Sequence, residues 1–237
     1  MVLRTAACGM SCGVRPVREA VAVWAAVLFG LAAVQLLGLA VPVVGGLTGA
    51  LAVAAFFYVP LRFLEMRGQD ARAAGWRLDR LPADLLWSLG ACALVLPLFT
   101  AGFWMFPAWL DRLPEALRAL LAPYAARSGG PRLRLPLSWD FAGQVAGNAA
   151  VALAEEFFYR GYLTLRFEEK LRPVPAALLC AALFALGHLL TPAPFRLAVF
   201  FPALLFAFLR NRTRTIVGAA LCHFVFNVWL LLLMNQV

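Results

Sequence analysis

Between Ala20 and Ala40 the chain carries no charged residue, and none again between Leu85 and Phe106. About twenty apolar residues, at a rise of about 1.5 Å each, cross the ~30 Å hydrocarbon core of a bilayer. Inside lipid every backbone N–H and C=O needs a partner in the protein, and runs of this length satisfy that need as helices. Further stretches of the same kind lie at 43–64, 145–166, 174–190, 195–209 and 215–234. The 237 residues are 63% hydrophobic and 14% charged, whereas soluble domains carry about 25% charged residues. A water-soluble fold would lack the polar groups to cover its core. The fold class expected is therefore all-α: a polytopic transmembrane helix bundle of about seven spans.

The connections complete the outline. Val41-Pro42-Val43-Val44-Gly45-Gly46 reads as a tight hairpin between the first two spans, and the mixed charges of 65–84 read as a solvated loop. In the longest connection, 107–140, the segment Trp109–Leu121 has apolar residues at helical spacing and reads as an interfacial amphipathic helix. The sixth stretch is short and contains Pro202, so it is expected to be tilted, kinked or only partly inserted. No linker separates the N-terminal spans and loops (1–140) from the helical region 141–237, so one compact membrane domain is expected. The first apolar stretch is long enough to span and has no clear cleavage site, so no cleavable signal peptide is expected.

The net charge of +9 comes from twenty arginines and one lysine, and most of it lies between apolar segments. That is the distribution of the positive-inside rule and not of a nucleic-acid-binding face. The segments holding Arg4, Arg15 and Arg18, Arg62 to Arg80, Arg166 to Arg172, and Arg210 to Arg214 fall on one side of the membrane. The long loop and Arg196 fall on the other. This predicts a cytoplasmic N-terminus. An Arg- and Ala-rich, nearly Lys-free chain points to a GC-rich bacterial genome and hence to the inner (plasma) membrane. The five cysteines (Cys8, Cys12, Cys92, Cys180 and Cys222) have no zinc-site spacing and read as small buried or tail residues.

Against this apolar background Glu155, Glu156 and Arg160 stand in the fourth stretch, and the only two histidines, His188 and His223, in the fifth and seventh. An ionised group at mid-bilayer costs about 3 kcal/mol or more. A bundle that needed only interhelical glue would use Ser, Thr or Asn. Glu156 and Arg160 are four apart with the acid first, the favourable order for an ion pair. Glu155 is turned about 100° from Glu156 and is left to face a polar cavity. His223 and Asn227 are also four apart and share one face of their helix. Counted from the cytoplasmic ends, Glu155, His188, Asn227 and His223 lie at depths of about 20, 21, 18 and 12 Å. A shared site near the membrane centre is thus possible.

The run Glu155-Glu156-Phe157-Phe158-Tyr159-Arg160, followed by Phe184 and His188 and then by His223 and Asn227, resembles the EExxxR, FxxxH and HxxxN motifs of the CPBP family of intramembrane endopeptidases. That family comprises the type II CAAX prenyl proteases and their bacterial relatives, including bacteriocin-processing and myxosortase-like members. The resemblance covers 155–227. It implies that Glu155 is the general base activating water, that His188 helps hold that water, that His223 and Asn227 stabilise the oxyanion, and that Glu156 and Arg160 support the site.

Family members are described both as metalloproteases and as glutamate proteases. There is no HExxH, which excludes a zincin site. A zinc site would use Glu155, His188 and His223. A metal-free site without cofactor is favoured, because Asn227 suits an oxyanion hole better than a metal shell. The expected partner is a protein or peptide substrate in the bilayer: a prenylated C-terminus, a bacteriocin leader or a C-terminal sorting helix. The bacterial composition favours the last two. Two other readings stand beside this one: a catalytically silent membrane scaffold or chaperone, and a proton-coupled transporter. The N-terminal half offers no intramembrane charge of the kind a transporter's repeat symmetry would need.

Overall fold

A computed structural model describes residues 16–125, 138–191 and 193–234. Among the described residues every regular element is helical: α1 (Pro16–Ala40), α2 (Pro42–Glu65), α3 (Leu81–Leu110), α4 (Glu115–Ala125), α5 (Trp139–Glu156), a π-helical segment (Phe157–Leu163), α6 (Thr164–Glu168), α7 (Pro173–Gly187), two 3₁₀ segments (His188–Leu190 and Pro194–Val199), α8 (Phe200–Thr213) and α9 (Val217–Met234). The all-α membrane bundle is borne out.

Five described helices are long and apolar enough to cross a bilayer: α1, α2, α3, α7 with its 3₁₀ extension, and α9. The other two expected spans differ in instructive ways. The fourth is present as an unbroken helical rod, Trp139–Glu168, but Glu155, Glu156 and Arg160 interrupt its apolar character. The sixth is α8, only 14 residues long and therefore about 21 Å, preceded by the 3₁₀ turn that takes up 194–199. Pro202 sits in its first turn, where a missing N–H costs nothing.

The second half of the rod, from Ala152 on, forms the centre. All seven residues of its π-helical segment are buried. Phe158 stacks on Phe56 of α2 at 5.1 Å and Phe157 on Phe57 at 5.5 Å. The main core joins α1, α2 and α7 to this segment. A second, smaller core lies between α3, α8 and α9, where the buried thiols of Cys92 and Cys222 are 3.5 Å apart. Cys180 is also buried, as expected, whereas Cys8 and Cys12 lie outside the described residues.

One local expectation holds and two are corrected. The first hairpin is tight, as expected: Val41 alone is extended and α2 resumes at Pro42, a favoured first helical residue. The connection 65–84 is not simply solvated. Gly75, at φ +87°, turns the chain so that its carbonyl accepts from Ile216 N at 3.0 Å. α3 then starts at Leu81, and Asp84 is fully buried, accepting from the Thr215 hydroxyl at 2.6 Å. The amphipathic segment is split, because α3 runs on to Leu110 and α4 begins only after Pro114.

The arginine-rich segments share one end of the bundle. Arg67 and Arg166 both meet Glu19, Arg210 pairs with Glu168 at 2.6 Å, and Arg77 donates to the Arg214 carbonyl. The α1–α2 turn lies at the other end.

Candidate active site

Glu156 and Arg160 sit one turn apart on the central rod, both with fully buried side chains, and Arg160 Nη1 donates to Glu156 Oε1 at 2.8 Å. The guanidinium has a second partner, the Ala203 carbonyl of α8 at 3.0 Å. It also lies against the faces of Phe184 and Phe206, 4.5 and 5.2 Å from the ring centroids. Such cation–π contacts strengthen where water is excluded. The expected pair is therefore real, and it ties the rod to α7 and α8.

The same carboxylate oxygen also accepts from His223. Nδ1 of His223 is 2.9 Å from Glu156 Oε1, and the imidazole stacks on Phe206 at 4.7 Å. On its far side His223 Nε2 lies 3.6 Å from Glu155 Oε2. One histidine of α9 thus bridges both acids of α5. Since Glu156 can only accept, Nδ1 carries a proton, and Nε2 carries one as well only in the doubly protonated ring.

Glu155 keeps 16% of its side chain accessible. It lines a cavity of about 170 Å³ with His188, Tyr159, Gln35 of α1, Thr48 of α2 and Arg196. That space is ample for a water molecule beside the carboxylate. His188 donates Nδ1–H to the Phe184 carbonyl at 2.9 Å, the hydrogen bond that fixes its tautomer and leaves Nε2 as the basic nitrogen. Its ring contacts Phe184 at 4.6 Å, and Phe184 in turn meets His223 at 5.8 Å. His188 and His223 therefore flank one aromatic ring, and Glu155 shares the cavity with the first and lies beside the second. Asn227 lies one turn beyond His223. It is half-buried, does not line this cavity, and its amide makes no hydrogen bond among the described residues.

A metal would need at least three convergent ligands. Among the described residues no three His, Cys, Asp or Glu side chains are grouped to hold one.

Residues 138–229 match the family model of the type II CAAX prenyl endopeptidase, Rce1-like. This segment is similar to that endopeptidase domain. The match contains all three motifs, and the five long apolar helices mark the chain as an integral membrane protein. No curated protein and no solved structure matches the chain.

The matched segment holds two features that sequence reading missed. The first is the π-helical segment directly after Glu156, a form often found at functional sites. Its wide turn lets the Tyr159 carbonyl accept from the Thr164 backbone N–H and also from two side chains, Thr164 Oγ1 at 2.9 Å and Cys180 Sγ at 3.1 Å. A polar Thr five residues after Tyr159 is the only trace of this in the sequence. The second is Gly187, just before His188, where a Cβ would stand 2.8 Å from the Tyr159 hydroxyl. Tyr159 is buried and cannot swing away. Gly187→Ala is therefore expected to cost about 1–3 kcal/mol of overpacking, read as a lower melting temperature in detergent. Adding Tyr159→Phe, which removes the clashing oxygen, should restore it. A Gly187→Ala protein that melts like the parent would show that this contact is not tight.

Proposed function

We propose that the protein hydrolyses a peptide bond of a membrane-associated protein inside the cavity that holds Glu155 and His188. The observation that carries this reading is the placement of a partly accessible carboxylate and a histidine with one free basic nitrogen around a water-sized space, backed by buried charges. Glu155 takes the proton from water as that water attacks the carbonyl, and His188 Nε2 holds the water in line. Donors aimed at the developing oxyanion are strongest where solvent is scarce. His223 in its doubly protonated form supplies one from Nε2. Asn227 stands off the cavity, one turn beyond His223, and its uncommitted amide supplies the other where the bound substrate extends past His223. Glu156 and Arg160 hold His223 and the rod in register.

The reaction needs no metal in this reading. Purified protein dialysed against 1,10-phenanthroline should keep its rate and contain no stoichiometric zinc. Asn227→Ala should lower turnover by roughly 10²–10³-fold with substrate binding little changed. Activity that disappears on chelation and returns with zinc, beside a mild Asn227→Ala phenotype, would replace this mechanism with a zinc-bound water.

The positive-inside distribution sets the arginine-rich end, and with it the N-terminus, in the cytoplasm of a bacterial inner membrane. Gln35 near the end of α1, Thr48 near the start of α2 and the segment after α7 then place the cavity toward the opposite face. That placement favours a substrate cut on its extracytoplasmic side, such as a C-terminal sorting helix, over a prenylated cytoplasmic C-terminus.

A further inference from the structure

Arg196 lines the same cavity as Glu155 and His188, yet it belongs to no part of the machinery above. Its Nη1 donates to the Thr191 hydroxyl at 3.2 Å, an uncharged partner. Among the described residues no carboxylate lies within ion-pair distance of it, and the segments outside the description contain no Asp or Glu. At the other end Arg62, Arg67, Arg77, Arg166 and Arg210 each have an acidic partner. Arg18, Arg72, Arg80, Arg172 and Arg212 have none among the described residues, but Arg196 alone of the unpaired arginines lines the cavity of Glu155 and His188. An unpaired guanidinium beside a largely apolar wall is a strong receptor for an anion, and its planar fork suits a carboxylate.

We propose that Arg196 is a substrate-binding residue that receives a carboxylate of the substrate, either an Asp or Glu side chain or the free C-terminus. The inference rests on the peptidase reading above. Arg196 and Glu155 line one and the same cavity, so the carboxylate lies within a few residues of the bond that is cut. Glu155 and Arg196 then make a dipolar cavity. The substrate's carboxylate is repelled from Glu155 and held at Arg196, which fixes the direction of the peptide and its register on the attacking water. Arg196 thereby sets specificity while Glu155 supplies the chemistry.

The test uses purified full-length protein in proteoliposomes and a peptide library made by digesting a bacterial membrane proteome, with cut sites read by mass spectrometry. Wild-type cuts should be enriched for an acidic residue or a free C-terminus within a few residues on one side of the bond. The best-cut peptide is then remade with Asn or Gln for the acid, and separately with a C-terminal amide, which tells the two carboxylate sources apart. One of these changes should raise KM by roughly 10–100-fold, the range for a hydrogen bond to a charged group. Arg196→Gln should erase the ratio between the two peptide forms, Arg196→Lys should keep part of it, and Arg196→Glu should shift the preference to Lys or Arg. Wild-type cutting without a carboxylate preference, or a preference that survives in Arg196→Gln, overturns the assignment and leaves Arg196 as a contact for lipid headgroups. A wild-type protein that cuts no peptide at all removes the peptidase reading itself, and this inference with it.

Discussion

Arg160→Ala should yield a protein that accumulates poorly and melts far below the parent in detergent. The substitution leaves the Glu156 carboxylate fully buried with only His223 Nδ1 as a partner, because its second oxygen has none among the described residues. Removing one side of a buried ion pair costs about 3–5 kcal/mol. At ~2–4 °C per kcal/mol for a chain of this size, the melting temperature should fall by roughly 6–20 °C. The loss also cuts the bond to the Ala203 carbonyl and empties the space between Phe184 and Phe206. Arg160→Lys keeps the charge but not the planar fork, so it should fall between the two. An Arg160→Ala protein with parental abundance and melting temperature would mean that the guanidinium faces water or substrate and that Glu156 does not depend on it.

What the sequence could reveal here is what the bilayer makes expensive. Glu156 and Arg160 were readable as a pair because lipid offers neither any other partner, and i,i+4 spacing puts them in reach. The gathering of Glu155, His188 and His223 follows from three spans with polar residues at similar depth. Depth alone could not say that His223 would bridge both acids, since that depends on the rotation of α9 about its axis. Nor could it place Asn227, which shares the His223 face yet stands off the cavity.

Local backbone features were the least legible. The π-helical turns of Phe157–Leu163 have the same apolar pattern as an α-helix, and what stabilises them, Thr164 and Cys180 on the Tyr159 carbonyl, is partly a tertiary contact. Asp84 looked like one more charge in a polar loop. Its burial is decided by Thr215, 131 residues away in sequence. Five of the seven expected spans are long and apolar enough to cross, and the other two differ for a related reason. The rod is shielded by its neighbours over the turns that hold Glu156 and Arg160, while α8 is short and serves to bring Ala203 and Phe206 against Arg160.

The second large effect concerns Glu155. Unlike Glu156 it keeps contact with the cavity, and its nearest partner is His223 Nε2 at 3.6 Å, so Glu155→Gln should leave fold and melting temperature close to those of the parent. An amide of the same shape cannot accept the proton of an attacking water. Loss of a general base costs typically 10²–10⁴-fold, and in this cavity no other carboxylate lines the space to take its place. The most direct measurement is to incubate membranes from cells lacking the gene with purified wild-type or Glu155→Gln protein and to label the newly formed N-termini for mass spectrometry. New termini on one or a few membrane-anchored proteins, present with wild-type and absent with a normally melting Glu155→Gln protein, are the predicted result. The same termini appearing at equal rates with both proteins would contradict the assignment of the chemistry to Glu155.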